Sequence, residues 1–437
     1  VLVVDAGRDR WLFHDACGHR QVFYTDAPLP LWCATDSGIL AEILGRSMDR
    51  ETVDFYRTYR KRDPQYHWPG DTSPYRGLRR LQPNHFLDLR ARASRRYWPD
   101  GDLPPRAIED VVREEARLLQ GIIASASRRF GLSLGITAGH DTRTLLAASK
   151  SIAHQVYAFT SVWEPMNRST PVVRVPSKLL GELGLPHHVI LCPARMDRAF
   201  ERIYRRSVAT AHDSYGPIVQ AEAVAHPQER ARMLGLCVPI LKVPTRRRLQ
   251  HWRPGADPGH LDAETLAWCV YLPDAFSQAA LGRWLADLPR TNVPLLDLLY
   301  WEEREGSFEA MTLAEWDLAE ESFSPYNCRQ LLVNGLSLPE AYRGEPVFSF
   351  QEDLMRQMWP EVLREPFNPP EEPNLFSTIF DSLSQVREKI DQKSPPSTGT
   401  PVVRAFQRHP WLTDIARVGW TAREGAARGD EQAAPRS

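Results

Sequence analysis

Between Leu132 and Ser151 the spacing of apolar residues changes from period two to a helical period. Leu132, Leu134 and Ile136 alternate with Ser133, Gly135 and Thr137, which predicts a short buried strand. Thr137 to His140 is a turn of small residues, and from Asp141 the pattern is helical, with Leu145, Leu146 and Ala148 on one side and Arg143 and Lys150 elsewhere. Asp141 or Thr142 is expected at the helix start. Upstream, Ala107 to Phe130 carries an apolar stripe of Ile108, Val111, Val112, Ala116, Leu119, Ile122 and Ile123, which predicts a helix leading into that strand. Downstream the alternation continues with a strand at 155–161, a helix at 172–183 and a strand at 188–191. Helices alternating with strands predict a parallel sheet covered on both faces, with a ligand site at the carboxyl ends of the strands.

The first hundred residues read differently. Val1 to Val4, Trp11 to His14, Gln21 to Tyr24 and Leu31 to Ala34 are short strand-like runs, separated by turn signals at Ala6-Gly7, Cys17-Gly18 and Ala27-Pro28. Two hairpins packed as a sandwich are expected. Leu103-Pro104-Pro105 reads as a linker, and Pro366-Phe367-Asn368-Pro369-Pro370 ends the last helical stretch. Residues 391–437 read as a linker and a disordered tail.

Composition narrows the function classes. With 42% hydrophobic and 25% charged residues the 437-residue chain is ordinary for a globular protein of two or three domains. A formal net charge of -1 gives no reason to expect nucleic acid as a partner. No apolar run reaches the roughly 18 residues of a membrane helix, and Asp5 interrupts an apolar start too short for a signal peptide. The six cysteines lack CxxC spacing, so neither a zinc site nor a disulfide framework is indicated, and a cytoplasmic location is expected. Cys17 and Cys33 read as small buried residues.

A tight loop between a strand and a helix start gathers backbone N–H groups and the positive end of a helix dipole, which suits a phosphate or pyrophosphate. Thr137 and Thr142 can add hydroxyls. A carboxylate beside a phosphate repels it unless a divalent cation intervenes, so Asp141 suggests magnesium; the competing reading makes Gly139 a turn residue and Asp141 an N-cap.

Thr137-Ala138-Gly139-His140-Asp141-Thr142 resembles the pyrophosphate loop of the N-type ATP pyrophosphatases, in the version found in asparagine synthase-like proteins. Other stretches resemble that family in the same order. Trp11 to Gln21, Leu31 to Asp36, Tyr75 to His85 and Arg96-Tyr97-Trp98-Pro99 are similar to the later half of its class II glutamine amidotransferase domain. Leu183 to His188, Ala211-His212-Asp213-Ser214-Tyr215, Asp297 to Gly306, Pro325 to Leu332 and Leu336 to Arg343 are similar to its synthetase domain.

The resemblance implies an α/β chain in three parts. Residues 1–102 would be an incomplete amidotransferase-like, Ntn-type β domain, 103–390 a parallel-sheet adenine nucleotide α-hydrolase-like domain with a helical second half, and 391–437 a tail. It implies ATP and Mg²⁺ as cofactors, with Thr137, Ala138, Gly139, His140, Asp141 and Thr142 on the phosphates, Asp141 on the metal, and Phe159, Thr160 and Ser161 beside the nucleotide. Lys242, Glu302, Arg304 and Arg329 are its candidate catalytic residues, although an ion-pair network between helices accounts for the last three equally well.

Two departures stand out. With Val1 first, no glutaminase nucleophile is expected from the chain as it stands, and Pro239 falls where the family has a glutamate. The implied reaction is adenylation of a small-molecule carboxylate and transfer of ammonia or an amine to it. The alternatives are a family member that binds nucleotide or a partner without turnover, and an unrelated α/β nucleotide-binding protein. A glutaminase partner or a homo-oligomer is left open, and neither nucleic acid nor membrane is expected.

Overall fold

The computed structural model describes residues 1–26, 30–63, 65–227, 229–242, 244–344 and 348–370. The turn signal at 27–28 and the tail at 391–437 lie outside these residues. Residues 1–369 form one unit.

The N-terminal part begins with the hairpin β1 (Leu2–Ala6) and β2 (Asp9–Phe13), turned at Gly7, whose φ of +74° is a conformation glycine adopts without steric cost. Next come β3 (Phe23–Thr25), β4 (Cys33–Ala34), β5 (Leu78–Arg80), β6 (His85–Asp88) and β7 (Ala93–Arg96). They make two antiparallel sheets, ordered β1-β2-β6-β7 and β4-β3-β5. The expected hairpins are both present, and Leu12, Val22, Tyr24, Leu81 and Leu87 form a buried cluster that joins the two sheets.

Two helices interrupt this β-rich part, contrary to the reading of residues 1–100 as strands and turns. α1 (Ser37–Leu44) is capped by Asp36, which accepts from Ile39 N at 2.9 Å, and ends at Gly45 in the left-handed region. α2 (Arg50–Arg62) is capped by Asp49 and buries Thr52, Phe55 and Tyr59 at helical spacing. Cys33 is exposed rather than buried, whereas Cys17 is buried.

The second part opens with α3 (Ile108–Ser127), then β8 (Gly131–Gly135), α4 (His140–Ala148), β9 (Tyr157–Val162), α5 (Pro171–Glu182) and β10 (His188–Leu191). α6 (Arg198–Ser207), α7 (Gly216–Ala225) and β11 (Arg230–Met233) follow. After a 3₁₀ turn at Val238–Lys242 come α8 (Pro244–Trp252), α9 (Ala263–Cys269), α10 (Ala275–Ala286) and α11 (Leu295–Leu299). A π-helical segment (Tyr300–Glu309) leads to α12 (Ala310–Trp316) and β12 (Glu321–Phe323). α13 (Arg329–Leu336), α14 (Glu340–Arg343) and α15 (Ser349–Met358) close the described chain.

β8 to β12 form a five-stranded, all-parallel sheet in the order β10-β9-β8-β11-β12. Numbered within the sheet this is 3-2-1-4-5, the doubly wound order, so the chain reverses direction of travel between β8 and β11. Leu132, Leu134, Ile136, Ala158 and Met233 share the face toward α3 and α4, and all are buried. Among the described residues, no helix is long and apolar enough to cross a membrane.

The two parts meet along the π-helical segment. An added Cβ at Gly306 would lie 2.4 and 2.5 Å from Pro83 Cγ and Cδ, a ring that cannot turn aside. Glycine is therefore required there for the N-terminal part to seat. We expect Gly306→Ala to cost about 1–3 kcal/mol of overpacking, seen as a lower urea midpoint; an unchanged midpoint would contradict this packing.

Candidate functional site

The loop Ile136–Gly139 leaves the carboxyl end of β8 at the point where the sheet order reverses, and a ligand crevice is expected at such a point. Ile136, Ala138 and His140 are buried, while Thr137, Gly139, Asp141 and Thr142 are partly exposed. Alternate residues thus anchor the loop and face solvent.

Both threonine hydroxyls are used in shaping the loop. Thr137 N donates to Thr142 Oγ1 at 3.1 Å, Gly139 N donates to Thr137 Oγ1 at 3.2 Å, and the two hydroxyls lie 3.2 Å apart. The helix starts at His140, with Gly139 as its N-cap and no side-chain cap, one residue earlier than expected. Asp141 is therefore not the cap. It lies in the first turn and pairs with Lys242. The first four N–H groups of a helix, counted from its N-cap, have no intrahelical acceptor; Gly139 N is taken by Thr137 Oγ1, which leaves those of His140, Asp141 and Thr142.

Lys242 reaches Asp141 because of what holds its turn. Arg343 is buried and donates to Leu241 O at 3.2 Å and to Asp297 Oδ2 at 2.8 Å. Burial pushes Asp297 up to about 6, against the opposing charge of Arg343. At the other end of this segment, a Cβ on Gly235 would lie 2.9 Å from Asp141 Cβ and 3.3 Å from Asp141 C. The loop after β11 therefore packs directly on the first turn of α4, and only glycine fits at the contact.

A covering segment comes from the end of the described chain. Asn368 N donates to Ala138 O at 3.1 Å. Arg143, read in the sequence as lying off the apolar side, is wholly buried: it donates to Glu365 O at 2.6 Å and to Pro366 O, and its guanidinium sits 4.2 Å from the Phe367 ring centre. His140 stacks on Phe367 at 3.8 Å and meets Phe348 at 4.8 Å. Nothing in the sequence spacing signals these contacts, because they join positions more than 200 residues apart.

The residues expected beside the nucleotide fall on two faces of β9. Thr160 Oγ1 donates to Ile136 O at 2.6 Å and lies 2.9 Å from His187 Nε2, bracing the strand before the loop. Phe159 lies beneath Arg232 at 5.0 Å, and Ser161 donates to Glu222 Oε1 at 2.6 Å. Glu222 is buried and also takes the Arg232 guanidinium and Trp316 Nε1.

Of the four candidate catalytic residues, Lys242 is the one bonded to the loop. Glu302 accepts from Asn84 Nδ2, Arg96 and Trp284 Nε1 at 2.6 to 2.9 Å. Arg329 donates to Asn84 Oδ1 at 2.7 Å and Tyr97 OH at 2.6 Å, and Arg304 donates to Gln65 and lies over Phe308. These three tie the helical half to the N-terminal part. Pro239 sits in the 3₁₀ turn that ends at Lys242. No protein-family model matches this chain, and neither does any curated protein.

The loop can therefore offer helix-start amides, one carboxylate and one ammonium at the sheet switch point. Burial lowers the His140 imidazole to about 4, with the Lys242 and Arg143 charges adding to the effect. The unfolded chain, with an ordinary value near 6.5, then binds a proton the folded state refuses, so stability falls as pH drops from about 6.5 to about 4. We expect His140→Phe to flatten this part of the plot of urea midpoint against pH. An identical slope in the variant would contradict the buried, neutral imidazole.

Proposed function

We propose that the chain is an ATP-dependent amide ligase, similar to asparagine synthases, which adenylates a small-molecule carboxylate and passes ammonia or an amine to it. The observation that carries this reading is the placement of the Thr137–Thr142 loop at the switch point of a 3-2-1-4-5 parallel sheet, with Lys242 on Asp141. The resemblance in sequence supplies the reaction class. On this reading residues 1–102 are the incomplete amidotransferase-like part and 103–390 the synthetase part.

The donor set suits magnesium held between a protein carboxylate and substrate phosphates, since Mg²⁺ commonly takes one or two carboxylates and keeps its remaining positions for phosphate and water. Asp141 is the residue that would hold it, and the ion would supply charge neutralisation at the phosphates. The remaining chemistry is assigned to the chain. Amides at the start of α4 bind the leaving pyrophosphate, and Lys242, released from Asp141 as the nucleotide enters, places its ammonium on the phosphates. The substrate carboxylate oxygen attacks the α-phosphorus and pyrophosphate leaves. The amine nitrogen then attacks the acyl carbon, loses a proton to solvent or a base, and AMP departs.

A second reading, a nucleotide or partner binder without turnover, has its own support. Asp141 is already neutralised by Lys242, Phe367 and Asn368 cover the loop, and Pro239 provides no carboxylate.

Pyrophosphate release with MgATP, ammonium and a panel of carboxylates separates the two. For a ligase we expect release that depends on one carboxylate, falls about 10²–10³-fold in Lys242→Ala and vanishes in Asp141→Ala. Binding of ATP without release under any carboxylate would favour the second reading, and ATP affinity unchanged in Asp141→Ala would remove the loop from both.

A further inference from the structure

Cys17 and His19, two positions apart, meet the distant Cys237 in the interior. One ligand atom from each lies within 4.8 Å of the other two, and all three residues are buried. His19 Nε2 is 3.8 Å from Cys237 Sγ, and the buried Glu305 carboxylate lies beside the cluster, with Oε2 3.2 Å from the same nitrogen. A tetrahedral zinc ion with bonds of about 2.3 Å to sulfur and about 2.1 Å to nitrogen has an S···N edge of about 3.6 Å. The observed S···N separation is close to this edge.

The surroundings argue for a cation as well. Glu305 is wholly buried, and neither its Oε1 nor His19 Nδ1 has a hydrogen-bond partner among the described residues. A carboxylate buried beside an imidazole and two thiols carries a desolvation cost that a cation bound next to it offsets. Cys237 has a φ of +68°, a left-handed conformation that is uncommon for a non-glycine residue and collects at ligand sites.

The turn that presents Cys17 and His19 is held before any metal arrives. Asp15 accepts from His19 N at 2.9 Å, Arg20 N at 2.7 Å and Asn327 Nδ2 at 2.6 Å, while Cys17 N donates to Asn327 Oδ1 at 3.0 Å. Trp301 Nε1 donates to Ala16 O at 2.9 Å. Supporting bonds of this kind fix ligand direction at metal sites. His19 and Arg20 also line a cavity of about 310 Å³ between the two parts of the chain.

We propose that Cys17, His19 and Cys237 bind one Zn²⁺. Two thiolates with an imidazole select zinc over the hard cations. The ion would staple the turn after β2 to the loop after β11. Cys237 lies between Gly235, which packs on Asp141, and Lys242, so the staple also fixes the loop that meets the first turn of α4.

The test is elemental analysis of the full chain, purified under reducing conditions and dialysed without chelator. We expect about one zinc per chain in the wild type and in Cys269→Ser, and less than half of that in Cys17→Ser and Cys237→Ser. After stripping with a chelator, Co²⁺ should give the visible bands of a tetrahedral thiolate complex in the wild type and lose them in Cys237→Ser. If the serine variants do not accumulate, the wild-type zinc content and the Co²⁺ spectrum decide. A wild-type chain that carries no zinc and gives no such spectrum would overturn the proposal. So would zinc retained in full by both cysteine variants, or a Cys17–Cys237 disulfide in non-reducing peptide maps.

Discussion

The contact of Gly235 with the first turn of α4 is the constraint on which the site depends. A parallel sheet that reverses its winding between β8 and β11 leaves a crevice between the loops that follow those strands. Here the crevice is narrow, because Gly235 sits against Asp141 with no room for a Cβ. That approach places the turn carrying Lys242 beside the helix start, and Arg343 holds it there through Leu241 O. One glycine and one buried arginine thus set the position of the opposed charges at the loop.

A second set of buried charges has a different task. Glu302 is saturated by Asn84, Arg96 and Trp284, and the same Asn84 passes its other side-chain atom to Arg329. Burying a carboxylate against an arginine is near neutral for stability when every lone pair is matched, and costly when one partner is removed. The arrangement therefore specifies how the N-terminal part seats on the helical half. Close packing of Pro83 on Gly306 acts at the same joint.

Local elements were legible wherever hydrophobic period and punctuation agreed. α3, β8, α5 and β10 follow from apolar spacing with turn residues at their ends. α1 and α2 carry ordinary cap signals in Asp36, Asp49 and Gly45, but they sit among strand-like runs whose spacing masks them. The loop was legible as a strand-to-helix turn from its small residues and the change of period at Asp141. Its partners were not, since Lys242, Gly235, Phe367 and Asn368 are brought to it by sheet order and chain return, which no local pattern encodes. The same holds for Cys17, His19 and Cys237: with 218 positions between the histidine and the distant cysteine, no short ligand spacing was there to be read.

The central claim is that the loop after β8 and the segment after β11 form one nucleotide site. Amide hydrogen exchange of the full chain with and without MgATP tests it most directly. The account predicts added protection in peptides covering 135–145 and 233–242, reduced in Asp141→Ala. Bound ATP that protects neither segment, or protects only residues elsewhere in the chain, would contradict it.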